Sequence, residues 1–160
     1  MILNIRIDLG RQSLALLDGG REIRRYAVST AANGAGEKSG SQCTPRGRHL
    51  IRAKIGAGQP SGTVFVARRP TGEIFVPEFK TQYPQRDWIL TRILWLSGLE
   101  HGKNRMGDVD TMRRYIYLHG TPDETELGKP GSHGCVRMAN PDIIELFNLV
   151  PAYTEVLIHE

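Results

Sequence analysis

The sequence predicts a mainly β domain, sandwich- or barrel-like, with one or two short helices. Three observations predict it. Short apolar runs with period-two alternation recur along the first 80 residues, turn-forming residues separate them, and one segment near the C-terminus carries both helical spacing and helix-end residues. At 160 residues and 17.9 kDa the chain is sized for a single domain, 1–160, able to bury roughly 70% of its unfolded surface without disulfides or metal.

Taken in order, Leu3, Ile5, Ile7 and Leu9 alternate with Asn4, Arg6 and Asp8, the pattern of a half-buried strand. Ser13–Asp18 is a second short run, and Asp18-Gly19-Gly20 is a hairpin turn into Arg21–Thr30. Ala31–Gly47, rich in Gly, Ser and Ala, reads as a loop. His49–Ile55 and Thr63–Ala67 are further strands, and Pro70-Thr71-Gly72 is expected to turn the chain into Glu73–Val76. Asp87–Leu99 is almost continuously apolar and fits helix or strand; its β-rich neighbours favour strand. Gly98–Asp110 is polar and reads as an exposed loop, and Arg114–His119 is a strand ending at Gly120. The helix begins with Asn140 as N-cap, Pro141 in the first position and Asp142 complementing the dipole. Ile143, Ile144, Phe147 and Val150 form its buried face, Pro151 ends it, and Thr154–Ile158 is a closing strand.

The composition, 39% hydrophobic and 24% charged, is that of a globular protein, and no apolar run is long enough to span a membrane. The net charge of +4 is unevenly distributed: residues 1–80 carry 13 basic and 6 acidic side chains, residues 81–160 carry 8 and 11. The basic residues are scattered, aromatics make up 7%, and no nucleic-acid-binding spacing occurs, so the reading is a solvated basic face with no nucleic-acid partner; a small anionic substrate would account for a basic surface as well as DNA would. Met1 leads directly into the first strand with no export signal ahead of it, and Cys43 and Cys135 form no Cys-x-x-Cys pair. Both features suggest a cytoplasmic protein with free thiols; a periplasmic protein whose signal has been removed is the alternative.

The chemistry concentrates between His119 and Arg137. A cysteine attacks as thiolate, so it needs a histidine within reach, and that histidine needs an acceptor to orient it. His119, at a strand end, can return to Cys135 across a Gly/Pro-rich loop, and Gly134 leaves room for main-chain N–H groups beside the thiol. A small buried cysteine and a zinc site of His119, His133 and Cys135 are the other readings of these residue types; the zinc site lacks a fourth ligand. His49, His101 and His159 carry no signal of chemistry. Cys43 reads as a partly buried bystander.

His119-Gly120, Ser132-His133-Gly134-Cys135-Val136-Arg137-Met138 and Asn140–Asp142 together resemble the active-site signature of the L,D-transpeptidase catalytic domain family. Tyr26–Thr30, Thr44-Pro45-Arg46-Gly47 and Thr154–Ile158 resemble its other landmarks, so the likeness spans almost the whole chain. The resemblance implies a β-sandwich-like catalytic domain acting on peptidoglycan stem peptides or muropeptides, with Cys135 as nucleophile, His119 as general base and the Gly120 carbonyl fixing the imidazole. It implies an oxyanion hole of His133, Gly134 and Cys135 amides in a loop shaped by Ser132 and His133. Arg137 either pairs with a substrate carboxylate or braces the loop, and no metal or organic cofactor is required. In layout the chain is most similar to cytoplasmic members without a signal, which implies L,D-carboxypeptidase activity in peptidoglycan recycling, with water accepting the acyl group. A crosslinking periplasmic transpeptidase and a non-catalytic peptidoglycan-binding module are the alternatives.

Overall fold

A computed structural model describes residues 1–160. Ten strands and two short helices follow in the order β1 Leu3–Asp8, β2 Ser13–Asp18, β3 Arg21–Ser29, β4 Gly47–Ile55, β5 Thr63–Val66, β6 Arg69–Ile74, α1 Glu78–Gln82, β7 Ile89–Gly98, β8 Tyr117–Gly120, β9 Val136–Met138, α2 Asn140–Leu149 and β10 Glu155–His159. Eight of the strands run β4-β10-β1-β2-β3-β9-β8-β7, and β4 pairs with β7 to close them into a barrel. The β5–β6 hairpin is appended to the far edge of β7. Most neighbours are antiparallel; β1–β10 and β8–β9 are parallel.

The alternation seen in sequence fills the barrel. Ile5 and Ile7 of β1, Leu14 and Leu16 of β2, Leu94 and Leu96 of β7, Leu118 of β8 and Val136 and Met138 of β9 pack in one apolar core. Because side chains alternate, Tyr117 and His119 of β8 and Arg137 of β9 face the other way, outside the barrel. Phe65 of β5 packs with Ile93 and Tyr117 on that outer face, with Cys135 beside them. The hairpin thus gives the outer face of β7–β8 a second small core. Helix α2 covers β7 and β8 through Ile143, Leu146 and Phe147, and Lys54 Nζ donates to the Phe147 and Val150 carbonyls at 2.7 Å, supplying a cation at its C-terminus. No helix is long and apolar enough to cross a membrane.

The mainly β expectation holds, with local corrections. The turn expected at Pro70-Thr71-Gly72 lies earlier, at Ala67-Arg68, and Pro70–Gly72 belong to β6, a sheet-edge strand where a missing N–H leaves no ladder bond unmade. The strand expected from Arg114 begins at Tyr117. Gly98–Asp110 is not wholly exposed: Asn104 is buried, accepts the Glu100 amide and donates to the Arg46 and Arg48 carbonyls at 3.0 and 3.1 Å. Asn140 is not the N-cap of α2. Ala139 holds that position, Asn140 is the first helical residue, and its side chain is committed elsewhere. The helix buries Leu146 where Ile144 was expected, and Ile144 is half-buried.

His49 is fully buried, between the Gly47 carbonyl (Nδ1, 3.0 Å) and Thr111 Oγ1 (Nε2, 2.9 Å), and burial pushes its pKa down to about 4. The unfolded chain takes up this proton near pH 6.5 and the native chain does not, so stability declines as pH falls from about 6.5 to about 4. The shift corresponds to roughly 3 kcal/mol. Urea unfolding across this range should show that loss in the wild type and a flatter profile in His49→Gln.

Candidate active site

Strands β8 and β9 run side by side with Leu118 opposite Val136 and His119 opposite Arg137. One step earlier in this register Cys135 stands beside Tyr117, so the thiol and the imidazole occupy diagonal positions on one face of adjacent parallel strands. The thiol donates to the Tyr115 carbonyl and accepts the Tyr117 amide, each at 3.3 Å. Burial pushes its pKa up to about 12 against the opposing pull of the Tyr117 amide, Arg137 and Arg114. The resting sulfur is therefore a thiol.

His119 is buried, with Nδ1 2.6 Å from the Gly120 carbonyl. A carbonyl only accepts, so Nδ1 carries the hydrogen and Nε2 is left as a lone-pair acceptor. Nε2 is buried without a hydrogen-bond partner. Burial lowers the pKa of this imidazole below the ordinary 6.5, with Arg137 adding to the effect and Asp87 and the Gly120 carbonyl opposing it. Both shifts favour the neutral forms, a protonated thiol and an unprotonated imidazole.

Gly120 is glycine for lack of space. A Cβ there would lie 2.7 Å from the Leu90 carbonyl oxygen, 3.0 Å from Thr91 Cβ and closer still to Asn140 Oδ1. Opposite it, β7 bulges between Leu90 and Ile93, and Thr91 holds a left-handed backbone (φ 77°), uncommon for a β-branched residue. Its hydroxyl accepts the Gly62 amide at 3.0 Å and donates to Asn140 Oδ1. Asn140 Nδ2 in turn donates to the Thr121 carbonyl at 3.0 Å and Asp123 Oδ1 at 3.1 Å. The residue that looked like a helix cap instead ties the segment after His119 to the bulge.

The Ser132–Cys135 loop is held from several sides. Thr30, itself bonded to Gln12, accepts the Gly131 and Ser132 amides at 2.8 Å. Ser132 Oγ donates to the Cys135 carbonyl and accepts the Gly134 amide at 3.2 Å. Thr44 Oγ1 donates to the Gly134 carbonyl at 2.9 Å, linking the Thr-Pro-Arg-Gly turn to this loop. Gly134 has φ 135°, and a Cβ on it would press on Ile116 and the Cys43 carbonyl. Its amide is engaged by Ser132, which corrects the expectation of three free donors; the amides of His133 and Cys135 make no hydrogen bond within the chain.

Arg137 braces. It donates to the Gly131 carbonyl at 3.1 Å and lies 3.6 Å from Asp87 Oδ1. His133, Thr121, Lys80, Arg86, Asp87 and Arg137 border a polar cleft of about 300 Å³. Cys43 is half-buried and, like Cys135, a free thiol. Sequence reasoning missed Asp87, Thr91 and the use of the Asn140 side chain. Asp87 opens a run otherwise read as a strand, and nothing local marks the other two.

Fold and site define a class: a closed β-barrel domain with a cysteine and a histidine on one outer face of adjacent strands and a tight glycine-containing loop beside the sulfur. The chain belongs to the L,D-transpeptidase catalytic domain family, whose model matches residues 4–158. Over 47 residues it is 43% identical to the putative L,D-transpeptidase YkuD of Bacillus subtilis, a segment that makes up 29% of each protein. Among solved structures, an L,D-transpeptidase from Mycobacterium smegmatis is similar with TM-score 0.59 and 16% identity, over 99% of this chain and 59% of that one. L,D-transpeptidase 3 from Mycobacterium tuberculosis is similar with TM-score 0.60 and 14% identity, over 99% and 61%. At these identities the structural likeness is one of fold. The chain spans about three fifths of the solved chains.

Proposed function

We propose that this domain is a cytoplasmic L,D-carboxypeptidase that removes the terminal D-alanine from peptidoglycan stem tetrapeptides, free or as muropeptides. The observation that carries the reading is the buried, unpartnered Nε2 of His119 on the face it shares with Cys135, with Nδ1 committed to the Gly120 carbonyl. Nε2 takes the thiol proton as Sγ bonds to the carbonyl carbon of the third residue. The oxyanion of the tetrahedral intermediate meets the free amides of His133 and Cys135, donors that contribute about 3–4 kcal/mol each where measured. The imidazolium then protonates the departing D-alanine amine, leaving a thioester. Water attacks next, giving a proton to Nε2 as it bonds to the carbonyl. The thiolate leaves and recovers that proton. No metal or organic cofactor enters this sequence.

A small charged peptide as substrate is supported by the polar cleft beside His133, where Lys80, Arg86 and Arg137 each already have a carboxylate of the chain within 4.0 Å. The two free thiols suit a reducing compartment. A second reading, transfer to an amine with formation of a crosslink, draws on the similarity to the putative L,D-transpeptidase YkuD of Bacillus subtilis. Incubation with a tetrapeptide donor and an excess of amine acceptor separates the two. Tripeptide and free D-alanine without dimer are expected; predominant dimer would replace water with an amine.

A further inference from the structure

The β5–β6 hairpin turns through two residues, Ala67 and Arg68, both with left-handed backbone (φ 48° and 63°). Two-residue turns of this hand favour Asn-Gly, and each residue bearing a Cβ there costs about 1–2 kcal/mol. Two in succession at the tip of a short hairpin call for an explanation, and the position of Arg68 provides one. Its guanidinium carbon lies 5.0 Å from the Trp95 ring centroid and 4.8 Å from that of Tyr115, and Nη1 donates to the Tyr117 hydroxyl at 3.1 Å. Tyr115 and Tyr117 are the residues whose main chain cradles Cys135 Sγ. The turn therefore seats a cation one tyrosine side chain away from the thiol, on the same outer face.

This cation has no acidic partner. Arg46, Arg86 and Arg137 each have a carboxylate within 4.0 Å, and Arg68 has none. Arg114, the other arginine near the thiol, is held in place by the carbonyls of Gly36, Glu37 and Cys43. In Arg68, Nη1 is committed to Tyr117, while Nε and Nη2 have no acceptor in the chain. That pair is the edge of a guanidinium that receives a carboxylate through two parallel hydrogen bonds, and a seat on aromatic faces holds it ready.

We propose that Arg68 is the receptor for a carboxylate of the peptide that acylates Cys135. Two carboxylates of such a peptide share this chemistry: a side-chain acid on the residue whose carbonyl is attacked, and the C-terminal carboxylate one residue on. The inference rests on the peptide reading above, and Arg68 thereby becomes its specificity-determining residue.

Four tetrapeptides test it, with the third residue bearing a side-chain acid or its amide, and the C-terminus free or amidated. For the wild type, amidating the recognised carboxylate should raise KM about tenfold or more. In Arg68→Gln the same change should alter KM by less than about twofold, and Arg68→Lys, which keeps charge but not the fork, should fall between. The carboxylate whose removal is coupled to Arg68 is thereby identified. A wild-type preference that survives unchanged in Arg68→Gln, or amidation without effect at both positions, overturns the proposal. Calorimetric binding of the same peptides to Cys135→Ala makes the comparison without turnover. Binding coupled to Arg68 together with a wild type that releases no D-alanine would defeat the carboxypeptidase reading and uphold this one, while D-alanine release by the wild type without such coupling would do the reverse.

Discussion

Replacing His119 with alanine is expected to lower D-alanine release at least about 10³-fold, close to the effect of Cys135→Ala. The size of the effect follows from the resting protonation states. A cysteine at its ordinary pKa has a few per cent of thiolate near pH 7 and retains some reactivity without help. Here burial pushes the thiol up to about 12, so the unaided anion is scarcer still at neutral pH. Only a base that accepts the proton as the S–C bond forms makes the sulfur useful, and Nε2 of His119 is the unpartnered acceptor on that face. The pH profile supplies a second check. The base must be neutral, and burial lowers its pKa below 6.5, so the acid limb of kcat/KM should lie below that of an unperturbed histidine. Asp87 favours the imidazolium, so Asp87→Asn should displace the limb further toward acid. A His119→Ala protein that keeps more than a tenth of the activity would remove the imidazole from the mechanism.

The parts of the molecule legible in sequence are those in which local pattern and global fold agree. Ile5 and Ile7 alternate because one face of β1 is core, and the motif around Cys135 is compact enough to be read as one block. Strand β9 escaped notice because its three residues are the tail of that motif, too short to show a period. Helix α1 has five residues and no buried side chain, hence no stripe to read. The Asn140 side chain was misread for a different reason. A helix-capping preference is local, whereas a bulge in β7 that needs a polar partner is a tertiary fact, and the tertiary demand prevailed. The resting charge state was likewise invisible, since it depends on burial contributed by the hairpin and neighbouring strands. The sequence pointed to His119 as the base that takes the Cys135 proton; burial in the folded chain favours the neutral form of both groups.

The glycine after the histidine gives the second large effect. Gly120 does not adopt a positive φ, so its role is clearance and not conformational freedom. In Gly120→Ala the new methyl group would meet the Leu90 carbonyl at 2.7 Å, Thr91 Cβ at 3.0 Å and the Asn140 amide oxygen. Two of these belong to the bulge, whose backbone is already strained at Thr91, and the third is fixed by bonds to Thr91, Thr121 and Asp123. None is the free end of a flexible side chain, so β8 must move. Overpacking of this kind costs about 1–3 kcal/mol, which for a domain of this size lowers Tm by roughly 3–9 °C. Activity should suffer beyond the stability loss. The Gly120 carbonyl fixes Nδ1 of His119, and a displacement of about 1 Å in a positioning group can cost about 10²-fold. Gly128→Ala is the control that separates the two causes. Its φ of 88° makes alanine strained, yet nothing lies within 4 Å of the added methyl, and its amide bonds to the Val28 carbonyl on β3. It should lose stability on the order of 1 kcal/mol and keep its turnover. Equal turnover in folded Gly120→Ala and wild type, measured well below either Tm, would detach the carbonyl of residue 120 from the orientation of the imidazole.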